Sequence, residues 1–169
     1  KAAQFGQQLF NDVRLSANRT ISCANCHKAD YGFTDELAQA KGLFQTTRRS
    51  MPLIGLSHQQ WFFWDGRSDS LWSQALGPIE NPLEHGFSRS QVVGVIQSYY
   101  LDTYQEIFGS FPAIEKQALN LPAYPSKENK IANQHWQSFD ANQQHNINQV
   151  FTNIGKSIAA FVHTLKHQP

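Results

Sequence analysis

Apolar positions fall into helical register along most of the chain, and the register is longest near its C-terminal end. Ile147, Val150, Phe151, Ile154, Ile158, Phe161, Val162 and Leu165 keep the 3.6-residue period over about five turns. That stripe predicts a long helix with Lys166 and His167 at the negative end of its dipole. Upstream, Ser88-Arg89-Ser90-Gln91 fits a capping box, and Val92, Val93, Val95 and Ile96 supply the apolar face of a helix running to about Tyr99. Phe5, Leu9 and Phe10 predict a short helix that Asn11-Asp12 interrupts. Ser70 to Leu76 has helical potential, with Gly77-Pro78 and Asn81-Pro82 read as turns after it. Asp102 to Phe111 is a further short helix, with Tyr104, Ile107, Phe108 and Phe111 on one side.

Two stretches lack that period. From Lys28 to Leu56 the chain is rich in Gly, Thr and Arg, which reads as a long ordered loop packed on something. Pro112 to Asn146 is polar and carries three prolines, so it is expected mostly as surface loop, anchored by Trp136 and Phe139. No strand pattern or internal repeat stands out, and the predicted fold class is all-α. The 169 residues fit one domain, 1–169, with the polar insertion at about 112–146.

Charge narrows the partners. With 14 Lys and Arg against 13 Asp and Glu the formal net charge is +1, so no global field favours nucleic acid or an anionic membrane. No apolar run approaches the roughly 18 residues of a membrane-spanning helix. The first residues, Lys1-Ala2-Ala3-Gln4, do not form a signal peptide, and the chain reads as mature and soluble, with truncation left open.

Both cysteines of the chain lie in Cys23-Ala24-Asn25-Cys26-His27, the Cys-x-x-Cys-His attachment signature of a c-type haem. Two thiols add across the haem vinyl groups as thioethers, and the adjacent His27 is held where one imidazole nitrogen ligates the iron as the proximal ligand. A redox disulfide and half a zinc site are the competing readings of a bare Cys-x-x-Cys. The missing second Cys pair and the histidine after Cys26 favour haem. The fold is therefore expected as a c-type cytochrome domain wrapped around one covalent haem c. Thioether attachment is normally completed outside the cytoplasmic membrane, so a bacterial periplasmic setting is inferred.

The haem motif alone does not separate an electron carrier from an enzyme. Flanking motifs do: Arg14-Leu15-Ser16 with Thr20-Ile21-Ser22-Cys23, then Trp64-Asp65-Gly66-Arg67, then Gln74-Ala75-Leu76-Gly77-Pro78-Ile79-Glu80-Asn81-Pro82. Together they resemble the N-terminal haem domain of bacterial di-haem cytochrome c peroxidases and the related MauG-type proteins. The similarity runs with gaps from about Phe5 to Leu165 and includes Asn153 to Phe161 as the closing helix. The resemblance implies that this haem reacts with hydrogen peroxide, with Glu84 and Gln74 on its distal side. A carboxylate there suits the chemistry, because peroxide must lose a proton from one oxygen and gain one on the leaving oxygen. Gln74 orients peroxide or water without titrating. Read without the resemblance, Glu84 is an ordinary loop carboxylate.

Trp64 matches the tryptophan that in the family lies between the two haems and relays oxidising equivalents. By composition alone, Trp61-Phe62-Phe63-Trp64 is mostly core packing. Arg67 resembles a structural arginine of the motif, and Arg48 or Arg49 is suited to pair with haem propionates. The family's calcium site takes an Asn where Ser50 stands, a poorer oxygen donor, so calcium is not expected.

Departures from the family pattern are informative. The loop that typically supplies a distal histidine reads Gly42-Leu43-Phe44-Gln45, one residue short and without histidine, so the sixth iron position is expected open, as in MauG-type members. His85 follows Glu84 where the family often has Met; it either reaches the iron as a distal ligand or only helps with protons. Met51, the single Met, is a conceivable soft sixth ligand, but its place in Arg49-Ser50-Met51-Pro52 favours packing. His58, His135, His145, His163 and His167 read as surface residues, the His163/His167 pair included. Asn18-Arg19-Thr20 matches a glycosylation sequon of a kind that arises often by chance.

The leading reading is a peroxidase-like oxidoreductase whose partners are hydrogen peroxide and a second haem domain or redox protein. Peroxide reduction needs two electrons and one haem motif is present, so a radical at Trp64 or another aromatic, or a second haem, has to complete it. The rivals are a non-catalytic electron-transfer cytochrome and a haem-based sensor or docking module.

Overall fold

The computed structural model describes residues 1–166, and His167 lies outside the described residues. Among the described residues eight α-helices follow one another: α1 (Ala2–Phe10), α2 (Cys23–Cys26), α3 (Leu71–Glu80), α4 (Arg89–Tyr99), α5 (Leu101–Phe108), α6 (Lys116–Asn120), α7 (Lys130–Gln137) and α8 (Ala141–Val162). Among the described residues there is no sheet, only the isolated bridges Lys28–Thr34, Lys41–Gln45 and Phe62–Ser68. The chain forms two compact units, one of residues 1–86 with the chain from Ile154 onward, the other Phe87–Asn153.

The first unit is organised by the end of α8. Ile154, Ser157, Ile158, Phe161 and Val162 are all buried there, as are Phe5, Leu9 and Phe10 of α1. The two helices touch at Gly6, where a Cβ would overlap the Ser157 carbonyl oxygen; only a residue without a side chain permits that approach. α8 ends at Val162 rather than at Leu165, because Thr164 donates its N–H and its hydroxyl to the Phe161 carbonyl, at 2.8 and 2.7 Å, and closes the last turn.

α3 departs from the sequence expectation. It runs through Gly77-Pro78, which reads as a turn, to Glu80. Pro78 forfeits one helical hydrogen bond, but Leu76 and Ile79 on either side are buried at 8 % and 0 % exposure. Burial of that face outweighs the local signal. The 28–56 segment is irregular, as expected, and is punctuated by short 3-10 turns at Ala29–Tyr31 and, at its far end, Leu56–His58.

The second unit corrects the reading of 112–146 as mostly surface loop. It holds α6, α7 and the first residues of α8. α7 and α8 start on side-chain caps that a hydropathy pattern does not register: Asn129 accepts from Ala132 N–H, and Asp140 accepts from Gln143 N–H at 2.7 Å. Trp136 is buried and meets Phe139 edge-on at 6.0 Å, with the Arg89 guanidinium 5.3 Å from its ring. The capping box at Ser88 forms as the sequence predicts. α5 stops at Phe108, and Phe111 packs its ring on Tyr104 at 5.1 Å from beyond the helix.

Candidate functional site

The first unit carries a cleft of about 370 Å³ that is open on one side, and the residues singled out by sequence converge on it. Cys23, Cys26, His27, Arg48, Arg49, Met51, Trp64, Gln74, Glu84 and His85 all line it.

The haem motif sits on α2, whose entry is fixed by Asn25: its Oδ1 accepts from the Ser22 N–H at 2.7 Å and the Ser22 hydroxyl at 2.9 Å. Both cysteines are free. Burial pushes the Cys23 thiol up to about 12, with the neighbouring Cys26 adding to the shift. Burial and then Asp35 also raise Cys26. The thiols therefore keep their protons at neutral pH.

His27 is oriented through its Nδ1, 3.0 Å from the Phe33 carbonyl oxygen. A carbonyl only accepts, so Nδ1 carries the proton and donates, and the Nε2 of the neutral ring keeps a lone pair. Burial, the largest influence, lowers the His27 pKa and favours that neutral ring. Phe10 packs on Phe161 at 5.1 Å and lies tilted against the imidazole at 6.3 Å, so an aromatic wall borders the ring.

Glu84 is held chiefly through its backbone. Its N–H donates to Asn81 O at 3.0 Å, and its carbonyl accepts from Leu43 N–H at 2.9 Å. Leu83 O accepts from Phe44 N–H at 2.9 Å, so the 42–44 loop is pinned along this turn. The approach is close: a Cβ on Gly42 would stand 2.6 Å from Glu84 Cα. Burial raises the Glu84 carboxyl above the ordinary value, opposed by Asn81 and Arg67. Gln74 projects from α3 into the same cavity.

His85 is 4 % exposed. Its Nδ1 donates to the Leu15 carbonyl at 2.8 Å, and its Nε2 stands 3.9 Å from Cys23 Sγ. Burial lowers its pKa. Nothing in the sequence signals either contact, since the partners lie 70 and 62 positions away.

The aromatic run does not pack as a core. Phe62 is buried, while Trp61 and Trp64 are 65 % and 51 % exposed. The cause is a tight turn in which Phe62 pairs with Ser68 and Phe63 and Gly66 take positive φ, turning the flanking tryptophans outward. The Arg67 guanidinium lies 3.5 Å above the Phe63 ring. Trp64 donates Nε1–H to the Arg49 carbonyl at 2.9 Å. Arg48 reaches Asp65 at 3.1 Å, and Arg49 donates to Asp35 O at 3.2 Å, both without leaving the cavity wall. Ser50 spends its hydroxyl on Asp35 at 2.8 Å.

These residues fit a covalently attached haem. Two free thiols and an imidazole nitrogen with an available lone pair share one cavity, and arginines able to meet carboxylates line it as well.

Comparison with known proteins agrees. The family described as di-haem cytochrome c peroxidase matches residues 1–169. The chain belongs to that family. It is similar to the methylamine utilization protein MauG of Methylorubrum extorquens, 38 % identical over 62 % of this chain and 31 % of that protein. It is also similar to cytochrome c551 peroxidases of Nitrosomonas europaea, 36 % identical over 64 % of this chain and 34 % of the relative, and of Pseudomonas aeruginosa, 33 % identical over 72 % and 37 %. The diheme peroxidase BthA of Burkholderia thailandensis shares the fold, with a TM-score of 0.71 at 19 % identity over 98 % of this chain and 39 % of that one. The chain thus spans about a third of the length of the curated relatives it matches. Family members are di-haem, whereas the two cysteines of this sequence make one attachment motif.

Proposed function

We propose that this chain is a peroxide-reacting haem c domain, with the haem attached through Cys23 and Cys26 and ligated by His27. The observation that carries the reading is that the attachment motif, Gln74 and Glu84 line one cavity within one compact unit. Bound haem supplies the redox-active iron at which the peroxide O–O bond is cleaved.

The protein's part is proton handling and orientation. Glu84 takes a proton from one peroxide oxygen and returns it to the leaving oxygen, and its backbone anchoring by Asn81 and Leu43 holds the carboxyl in register. Gln74 aligns peroxide by hydrogen bonds and stays neutral at any working pH. His85, with Nδ1–H committed to Leu15, supports the turn that carries Glu84. Met51 packs. Arg48 or Arg49 would pair with the propionates of a bound haem, and Trp64 would pass oxidising equivalents outward to a second haem or a redox partner. The bacterial periplasm is the setting that thioether chemistry implies; among the described residues no helix is long and apolar enough to cross a membrane.

The ferric absorption spectrum of the haem-loaded protein tests this. A high-spin spectrum that changes on addition of peroxide is expected. A low-spin, six-coordinate spectrum indifferent to peroxide would instead identify an electron-transfer cytochrome.

A further inference from the structure

His85 occupies a place that peroxide chemistry does not explain. Its ring is buried, its Nδ1 proton is given to the Leu15 carbonyl, and the remaining nitrogen faces Cys23 Sγ at 3.9 Å. The main chain holds it there as well: Ala17 N–H donates to His85 O at 3.0 Å and His85 N–H to Pro78 O at 3.1 Å. With Nδ1 protonated, the Nε2 of the neutral ring is a lone-pair acceptor aimed at a thiol. Cys26 has no imidazole beside it: its sulfur lies 3.6 Å from the Lys41 carbonyl, which accepts a hydrogen bond but is no base, and its side-chain hydrogen-bond partner is the Ser50 hydroxyl, which is itself bonded to Asp35.

We infer that His85 is an intrinsic acid–base catalyst for haem attachment at Cys23, making the two thioether bonds of this chain chemically unequal. The inference rests on the haem-binding reading of the cavity and not on the peroxidase reading. As Cys23 Sγ bonds to the inner carbon of a haem vinyl group, its proton passes to His85 Nε2. The transient imidazolium is stabilised by the Leu15 carbonyl at its other nitrogen. The proton then goes to the terminal vinyl carbon, which becomes a methyl group. One S–C bond and one C–H bond form, one S–H bond and one C=C π bond are lost, and no electron is gained or lost overall. A buried thiol with its pKa near 12 needs such an acceptor, because it does not ionise unaided near neutrality.

Two single-thiol chains, Cys23→Ala and Cys26→Ala, provide the test. Each full-length chain, with its remaining thiol reduced, is mixed anaerobically with ferrous haem. Covalent attachment is followed by intact mass and by the pyridine haemochrome α-band, which moves as vinyl groups are consumed. The Cys26→Ala chain, which keeps Cys23, should attach faster by about a hundred-fold, the lower end of what a positioned acid–base group contributes. Adding His85→Gln should abolish that advantage and leave attachment at Cys26 unchanged. Equal rates in the two single-thiol chains, or an advantage that survives His85→Gln, would overturn the inference. Helical circular dichroism and non-covalent haem uptake report whether His85→Gln folds. If it does not, the comparison of the two thiols beside native His85 decides alone.

Discussion

His27 and His85 are held in the same manner: each gives its Nδ1 proton to a backbone carbonyl, at 3.0 and 2.8 Å, and both rings line the cavity. A buried imidazole fixed in this way is chemically defined before any ligand arrives. Tyr104 offers the matching case in the second unit, fully buried, with its hydroxyl accepting from Asn153 Nδ2 at 2.8 Å. Tyr104→Phe removes that bond and should lower stability by about 1 kcal/mol, read as a fall in Tm. Burial, opposed by Asn153, raises the Tyr104 phenol pKa. The folded state thus holds the proton more tightly than the unfolded one, so the associated stability is complete below about pH 10 and is lost as pH rises through the folded value. Chemical denaturation between pH 9 and 12 should show a loss that Tyr104→Phe lacks.

At the scale of elements, two junctions decide the site. The 42–44 loop lies on the Leu83-Glu84 turn through two backbone hydrogen bonds, and Gly42 leaves no room for a side chain. Gly42→Ala should push Glu84 away, costing roughly 1–3 kcal/mol of stability and slowing reaction with peroxide, whereas Phe44→Ala, at an exposed side chain, should change neither. The second junction is the start of α8, where Asp140→Ala removes the Gln143 cap and should cost about 1 kcal/mol, measured by chemical denaturation. The helices legible in the sequence were those with a regular apolar stripe, such as α4 and the later turns of α8. α6, α7 and the beginning of α8 were not, because Asn and Gln dominate there and capping and tertiary burial, rather than periodicity, define them. Continuation of α3 through Pro78 was hidden for a related reason: a local breaker signal carries no information about how deeply Leu76 and Ile79 are buried.

Over the whole chain, family membership was readable from the ordered motifs that flank and follow Cys23 to His27, and the all-α fold from helical periodicity without a strand pattern; the site residues named from sequence do share one cavity. Less legible was which side chains face outward. Trp64 belongs to a run that reads as core, yet it is half exposed and tethered by its indole N–H to Arg49. In the proposed mechanism that exposure lets oxidising equivalents leave the haem domain. Trp64→Phe should accordingly leave the first reaction with peroxide intact and slow the reductant-driven return to the resting spectrum, both followed by stopped-flow absorbance. The central claim, that Glu84 moves the peroxide proton, is tested most directly by rapid mixing of the ferric haem-loaded protein and its Glu84→Gln variant with hydrogen peroxide. Glu84→Gln is predicted to slow the first spectral step by about a hundred-fold or more. An unchanged rate would contradict the account.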